Sequence, residues 1–380
     1  MNILITSNGK GEDSIAATVL SKLKELISAS NLHFTINIKA LPIVGDGNSY
    51  KKIGIPIINP QPMPPSGGFP LQNFNSFILD FKKGILHSLR KHIKSIKDQK
   101  PDIIIAVGDI LPIILSLPAK SEIIHIGTAF SLNLRNSIFL ENWLLKKCSL
   151  VFTRDQQTST HFQKKGINSI YLGNPMMDDP NLKINPNSHL ALLYKKCIKT
   201  KKTIIGLIPS SRPDAYDNLK IILQTVTKIP QKNNLIFVVS LAPNLKKDRF
   251  MNIISSFNND LEVLISEDSL GTVIYYSKLL IGMTGTGNEQ VIGMEKPLIL
   301  LKGNGPQSTK KRLNHYQKLL GASVFIPKGT KTNIGKEIGH LISDKNRLEE
   351  MTKIGNKYMG SAGAANKIAQ SILDLFKSYC

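Results

Sequence analysis

The chain has 380 residues, 41% of them hydrophobic and 20% charged, which describes an ordinary globular protein and excludes a disordered or disulfide-built one. At this length two domains of about 150–200 residues are expected, each with its own core. The formal charge of +22 comes mainly from lysine, with only seven arginines among 49 basic residues, and aromatics, at 6%, are not interleaved with the basic ones; that pattern argues against a nucleic-acid partner.

Lysine is concentrated at 82–100 and 195–202. A solvated helix face accounts for the first run, and attraction to an anionic membrane surface is the sharper reading. Cys148, Cys197 and Cys380 have no metal-ligand spacing, so a reducing compartment and no structural metal are expected. The longest apolar run, 102–118, is broken by Asp109 and Pro112 and is too short to span a bilayer. Glu12 and Asp13 interrupt any signal-peptide core. The expected location is cytoplasmic, peripheral on the cytoplasmic membrane face.

The first candidate strand, 2–7, runs into "SNGKGEDS", which lacks only the third glycine of G-x-G-x-x-G because Ser14 stands there. Strands at 34–40 and 55–58 follow, then the proline- and glycine-rich loop 59–74, which holds Ser66, Gly67 and Gly68. A loop this long in a compact domain is often functional, and Met63, Phe69, Leu71 and Phe74 suit a greasy ligand, or simple packing on their own domain. The strand 102–107 leads directly to Asp109, which either caps the next helix or faces a cleft as a general base with a raised pKa. Strands at 122–126 (with His125), 149–152 and 169–172 complete this half.

The segment 172–189, rich in proline, asparagine and aspartate, reads as a linker. The rhythm resumes with strands at 203–208, 234–241, 261–265, 278–282, 297–301 and 322–326. Alternating strands and helices imply parallel sheets covered on both faces. The expected domains are therefore 1–174 and 190–360, with a linker at 175–189 and a final helix, 361–380, packing across the junction.

Ligands of such sheets bind beyond the carboxyl ends of the strands. In the second domain "IPSSRPDAY" offers Ser210, Ser211 and Arg212, with Pro213 expected in the first helical turn, a combination suited to a diphosphate or to a plain helix cap. "GMTGTGNEQ" brings Gly285, Thr286 and Gly287 to a helix start, with Glu289 and Gln290 one turn in. Glu289 suits the two hydroxyls of a ribose, whereas Thr286 and Glu289 also spell a capping box. "GNGPQST" adds Gln307, Ser308 and Thr309 at the neighbouring edge.

Taken in order, "SNGKGEDSIA", "GNPMMDD", "PSSRPDAYDNL", "GTGNEQ" and "GPQS" resemble the GT-B class of nucleotide-sugar glycosyltransferases, most nearly lipid-A-disaccharide synthase and its related proteins, from the first strand to about residue 365. The resemblance implies two doubly wound Rossmann-like domains facing across a cleft, a UDP-sugar on the second and the acceptor on the first. It assigns Ser210, Ser211 and Arg212 to the diphosphate, Gly285, Thr286 and Gly287 to a glycine-rich floor, Glu289 with Gln290 to the ribose side and Gln307 to the sugar. Asp109 takes the position of a proposed catalytic aspartate, and Gly9, Gly11, Glu12, Asp13 and Ser66–Gly68 fall on the acceptor side. Such synthases usually have glycine where Ser210 stands, and a glycine-aspartate pair where this chain has "GEDS".

The activity implied is metal-independent, cofactor-free inverting transfer of an N-acetylglucosamine-type sugar to a lipid-linked or amphiphilic acceptor. Homodimerisation by exchange of C-terminal elements occurs among the resembling synthases. The alternatives are a UDP-sugar epimerase or hydrolase on the same fold, and a non-enzymatic binding module, because architecture alone does not fix a reaction.

Overall fold

The computed structural model describes every residue except 31–34, 60–84, 258–260, 304 and 378–380. It divides into two compact units, Met1–Asp179 with Ala362–Cys380, and Pro180–Ser361.

The first unit is built on six parallel strands: β1 (Asn2–Ser7), β2 (Asn37–Pro42), β3 (Ile103–Gly108), β4 (Glu122–Gly127), β5 (Leu150–Phe152) and β6 (Ser169–Ile170). Their order is β2-β1-β3-β4-β5-β6. In the centre Ile3 pairs with Ile103, and every residue of β3 is buried. A continuous apolar run, here three isoleucines followed by Ala106 and Val107, is what a strand covered on both faces requires, since it has no solvent side to supply alternation. The strand expected at 55–58 shrinks to a single bridge between Ala40 and Ile57. The Pro56 carbonyl accepts from Ala40 N–H at 2.9 Å, but the proline has no N–H with which to extend the ladder.

The final helix, Ala364–Lys377, belongs to this unit. Its buried face, including Ala365, Ile368, Ile372 and Phe376, accompanies packing against the helix Lys10–Ala29. The Asp178 carboxylate fixes its start by accepting from the backbone N–H groups of Gly363 and, at 2.7 Å, Ala365.

The second unit carries β7 (Thr203–Ile208), β8 (Leu235–Ser240), β9 (Glu262–Ser266), β10 (Leu279–Gly282), β11 (Leu298–Leu300) and β12 (Val324–Phe325), all parallel, in the order β12-β11-β10-β7-β8-β9. Ile205, Leu207, Phe237, Ile281 and Ile299 of the sheet share a core with Leu219, Leu223 and Val226 of the following helix. Both units are doubly wound α/β folds of the GT-B kind, and in each the strand order reverses once, between β1 and β3 and between β7 and β10.

On the helix Ile85–Asp98, Lys91, Lys94 and Lys97 are exposed while His92 and Ile96 are buried, so these lysines form a solvated face. Among the described residues no helix is long and apolar enough to cross a membrane.

Candidate functional site

The two reversals create crevices at the carboxyl ends of the central strands, the usual ligand position in open parallel sheets. In the second unit the chain leaves β7 through Pro209–Asp214, and the helix begins at Ala215, two residues beyond the Pro213 expected in its first turn. Ser210 folds this loop upon itself. Its Oγ accepts from Arg212 N–H at 3.2 Å and donates to Asp214 Oδ1 at 3.1 Å. Buried Asn218 ties the same loop down, its Nδ2 donating to the Pro209 carbonyl at 2.8 Å and to Asp214 Oδ2 at 3.3 Å. Ser211 is exposed and Arg212 half-buried, so these two rather than Ser210 are turned outward.

Beyond β10, Gly285 occupies the cap position of the helix Thr286–Gly293, and no side chain caps that helix. The capping box of Thr286 and Glu289 is therefore not formed, because Thr286 is already the first helical residue. A helix start left open in this way concentrates partial positive charge. Glu289 and Gln290 are buried one turn in. Asn288 closes the preceding turn, donating from Nδ2 to the Thr284 carbonyl at 2.6 Å.

The loop after β11 is committed mostly to its own structure. Ser308 Oγ donates to the Gly305 carbonyl at 3.1 Å, and Thr309 caps the helix Lys310–Leu320 by accepting from Arg312 N–H at 3.2 Å. Gln307 is buried, its Oε1 accepting from Arg312 Nε at 2.8 Å and from the Tyr316 hydroxyl at 3.2 Å. Ser308 and Thr309, which the sequence places at this edge beside Gln307, thus support the loop.

The three loops touch one another. A Cβ built on Gly285 would meet the Gln307 side chain at 3.3 Å, and one on Gly303 would fall 2.0 Å from Met283 Cε and 2.5 Å from Asn218 Oδ1. Only glycine permits such approach. Asn218 and Asn288, which the sequence reading did not single out, each keep a buried Oδ1 without a protein partner. Their one sequence signal is an amide residue in the first turn of the helix after each candidate loop. Chemically the three loops and the helices they lead into carry an uncapped helix start, the half-buried Arg212, the buried Glu289 and amide oxygens, a set that suits an anion with a hydroxylated group attached.

In the first unit the crevice between β1 and β3 brings together Asn8, Glu12 and Asp109. A Cβ on Gly108 would meet Glu12 Cγ at 3.3 Å and Asn8 Cβ at 3.4 Å. Asp109 Oδ1 accepts from Leu111 N–H at 2.9 Å, so it organises the helix start and also stands at the sheet edge. Burial pushes its carboxyl above the usual carboxylate range, against the opposing pull of hydrogen bonds from Leu111 N–H and the Asn8 side chain. Asn8 Oδ1 is buried without a partner.

Asp109 borders a cavity of about 80 Å³ that it shares with His125, Arg135, Glu141 and Phe130. Arg135 and Glu141 form an ion pair, 2.8 Å from Nη1 to Oε2. His125 donates from Nδ1 to the Ala106 carbonyl at 2.9 Å, and burial lowers its pKa to about 4, so the ring is neutral near pH 7.

Other expected acceptor-side residues separate. Gly9, with φ 134°, precedes the helix Lys10–Ala29, and Gly11 lies in its first turn. Asp13 turns inward. Its Oδ1 accepts from Ser7 Oγ at 2.5 Å, Ser7 Oγ accepts from the Tyr50 hydroxyl at 2.6 Å, and burial raises Asp13 to about 7. Ser66, Gly67 and Gly68 lie outside the described residues.

Comparison with known proteins places these crevices in a context. The family model for lipid-A-disaccharide synthetase matches residues 158–302, less than half of the chain but including β7 to β11. No curated protein sequence matches. Among solved structures, the calicheamicin glycosyltransferase CalG4 superimposes with a TM-score of 0.65 at 13% identity, covering 100% of this chain and 99% of that one. A Listeria monocytogenes protein described as a UDP-N-acetylglucosamine 2-epimerase gives 0.64 at 14% identity, covering 100% and 97%. The UDP-GlcNAc 2-epimerase from Neisseria meningitidis, solved bound to UDP-GlcNAc, gives 0.61 at 16% identity, covering 98% and 100%. At these identities the likeness is one of fold.

Proposed function

We propose that the chain is a metal-independent, inverting glycosyltransferase that moves an N-acetylglucosamine-type sugar from a UDP-sugar to a lipid-linked or amphiphilic hydroxyl acceptor. The observation that carries this reading is the meeting of three loops at the β7/β10 reversal, among them the loop that carries Arg212 and the uncapped helix start at Gly285. The lipid-A-disaccharide synthetase match, which spans the first two of those loops and ends at residue 302, adds to it.

In this reading Arg212 and the amides at Thr286 and Gly287 take the diphosphate, whose charge grows as the sugar leaves, and a helix start and a guanidinium are suited to that growth. Glu289 accepts from the ribose hydroxyls. Ser210 and Gln307 hold the loop shapes that make this geometry. Asp109 removes the proton of the acceptor hydroxyl, a task for which a carboxyl raised by burial is better matched than an ordinary one.

The test is a thermal-shift series with UDP, UDP-sugars and other nucleoside diphosphates, repeated on Arg212→Ala. UDP compounds should raise the melting temperature of the parent, and the exchange should weaken binding at least tenfold while leaving the unliganded melting temperature within about a degree. No shift with any nucleotide would favour the non-enzymatic module instead. The epimerase reading draws on the fold shared with two such enzymes. Consumption of the UDP-sugar without acceptor would support it over transfer.

A further inference from the structure

The cavity beside Asp109 is lined by a polar side chain whose hydrogen-bonding capacity the fold uses only in part. His125 lies on β4 in register with Ala106 of β3, and it is 4% exposed. Its Nδ1 stands 2.9 Å from the Ala106 carbonyl. A carbonyl oxygen can only accept, so the proton sits on Nδ1 and Nε2 carries a bare lone pair. Burial lowers the ring pKa to about 4, which keeps that tautomer through the neutral range. Nε2 has no hydrogen-bond partner among the described residues. A Cβ built on Gly127, another residue of the lining, would crowd this nitrogen at 3.3 Å, so glycine leaves it open on that side.

Most of the remaining lining is apolar. Ile110, Phe130, Leu145, Val151 and Phe162 contribute to it, with Phe130 and Phe162 stacked at 5.3 Å between ring centres. Its charged groups balance. Arg135 donates to both carboxylate oxygens of Glu141, and its guanidinium lies 5.1 Å from the centre of the Phe130 ring. Arg154, buried, donates from Nη1 to the Thr128 carbonyl at 3.0 Å. With Asp109 ionised, as a base must be, two arginines face two carboxylates in the lining, and a further charge would lose its hydration without a counter-charge of its own. The guest is therefore neutral. It is also small: one water needs about 10–15 Å³ of such space, so 80 Å³ takes a group of a few heavy atoms and not a long chain.

We propose that His125 is a specificity-determining residue of the acceptor site, its Nε2 accepting from the N–H of a short acylamido group whose methyl end packs on the apolar lining. A hydroxyl would satisfy the nitrogen but leave those walls uncovered, whereas an acetamido group answers both. That this group belongs to the acceptor, beside the hydroxyl that reacts, rests on the reading of Asp109 as the base. The binding itself does not.

The experiment is titration calorimetry of the full chain with three methyl glucosides that differ at carbon 2. One is the acetamido compound. The second is its O-acetyl analogue, which keeps methyl and carbonyl but lacks the N–H, and the third is the octanoylamido homologue. The parent should bind the first at least tenfold more tightly than either of the others, because a site built around a hydrogen bond rejects an analogue that cannot make it. His125→Phe should erase the preference for acetamido over O-acetyl, whereas loss of a merely structural histidine would weaken both and keep the preference. Ala129→Leu, at an exposed position of the lining, should block the acetamido compound with the melting temperature unchanged, and it decides the matter if His125→Phe fails to fold. The proposal is overturned by no binding of the acetamido compound, by equal binding of the O-acetyl one, or by a preference that survives His125→Phe. Tighter binding of the octanoylamido homologue overturns it as well. UDP affinity should be the same in parent and variants. A parent that binds the glucoside and no UDP would fault the donor site and leave this one standing.

Discussion

Asp214 fills the space that a side chain at Gly305 would need: a Cβ built on the glycine falls 1.6 Å from the carboxylate Oδ2. The two residues belong to different loops of the β7/β10/β11 edge, and Asp214 is itself held by Ser210 and Asn218. It has no room to swing away without releasing the loop that presents Arg212.

Gly305→Ala should therefore act at a distance. We expect a loss of several degrees in melting temperature, since overpacking of this kind costs about 1–3 kcal/mol, together with at least tenfold weaker UDP binding. Calorimetry and UDP titration check both. An alanine variant that binds UDP like the parent would show that the loop contact does not shape the crevice.

Asp109 supplies a pH signature. Its carboxyl is raised by burial, so the group is protonated in part of the range where an exposed aspartate is already ionised. A general base must be ionised. Activity should then fall with decreasing pH at a midpoint above the ordinary carboxylate range, and Asp109→Asn should depress turnover by at least a hundredfold while UDP affinity changes less than threefold. Rate profiles against pH and UDP titrations are the measurements. Equal losses of turnover and affinity would remove Asp109 from the role of base.

Asp13 provides an independent check on the interior of the first unit. Its folded pKa of about 7 lies above the unfolded value, so the folded state holds a proton that the unfolded state has lost between about pH 4 and 7. Stability should decline as pH rises through that window by roughly 1.4 kcal/mol per unit, and level off above it. Asp13→Asn removes this slope and keeps an acceptor for Ser7. The difference in unfolding free energy between parent and variant, measured at pH 5 and pH 8, should move in favour of the variant at the higher pH. A difference independent of pH would mean that the carboxyl titrates normally. His125 contributes the opposite trend below its ordinary value, as pH falls toward about 4, and cancels in this comparison because both proteins carry it.

The central strands were the most legible part of the sequence. Runs such as "ILIT" and "IIIAV" have few other ways to bury so much β-branched surface. At 55–58 the same composition misled, because Pro56 lacks the donor that a ladder needs. The candidate loops were readable because a parallel sheet confines ligands to one edge. Their internal wiring was not. Thr286 and Glu289 fit a capping box by spacing alone, yet Gly285 takes the cap and leaves the helix start open. Pro213 suits a first helical turn equally well, but the helix waits until Ala215. Contacts such as Tyr316 to Thr284, 32 residues apart, or Gly305 to Asp214 leave no local mark in a sequence, because they exist only once the sheet has ordered its loops.

The return of Ala364–Lys377 to the helix Lys10–Ala29 imposes an order on biosynthesis. Residues 180–361 form an uninterrupted stretch whose partners are all present once the ribosome has passed them. The helix Lys10–Ala29 keeps one flank uncovered until Ala364–Lys377 emerges. Nascent protein therefore carries a greasy seam from the synthesis of one helix to that of the other, about 330 residues later.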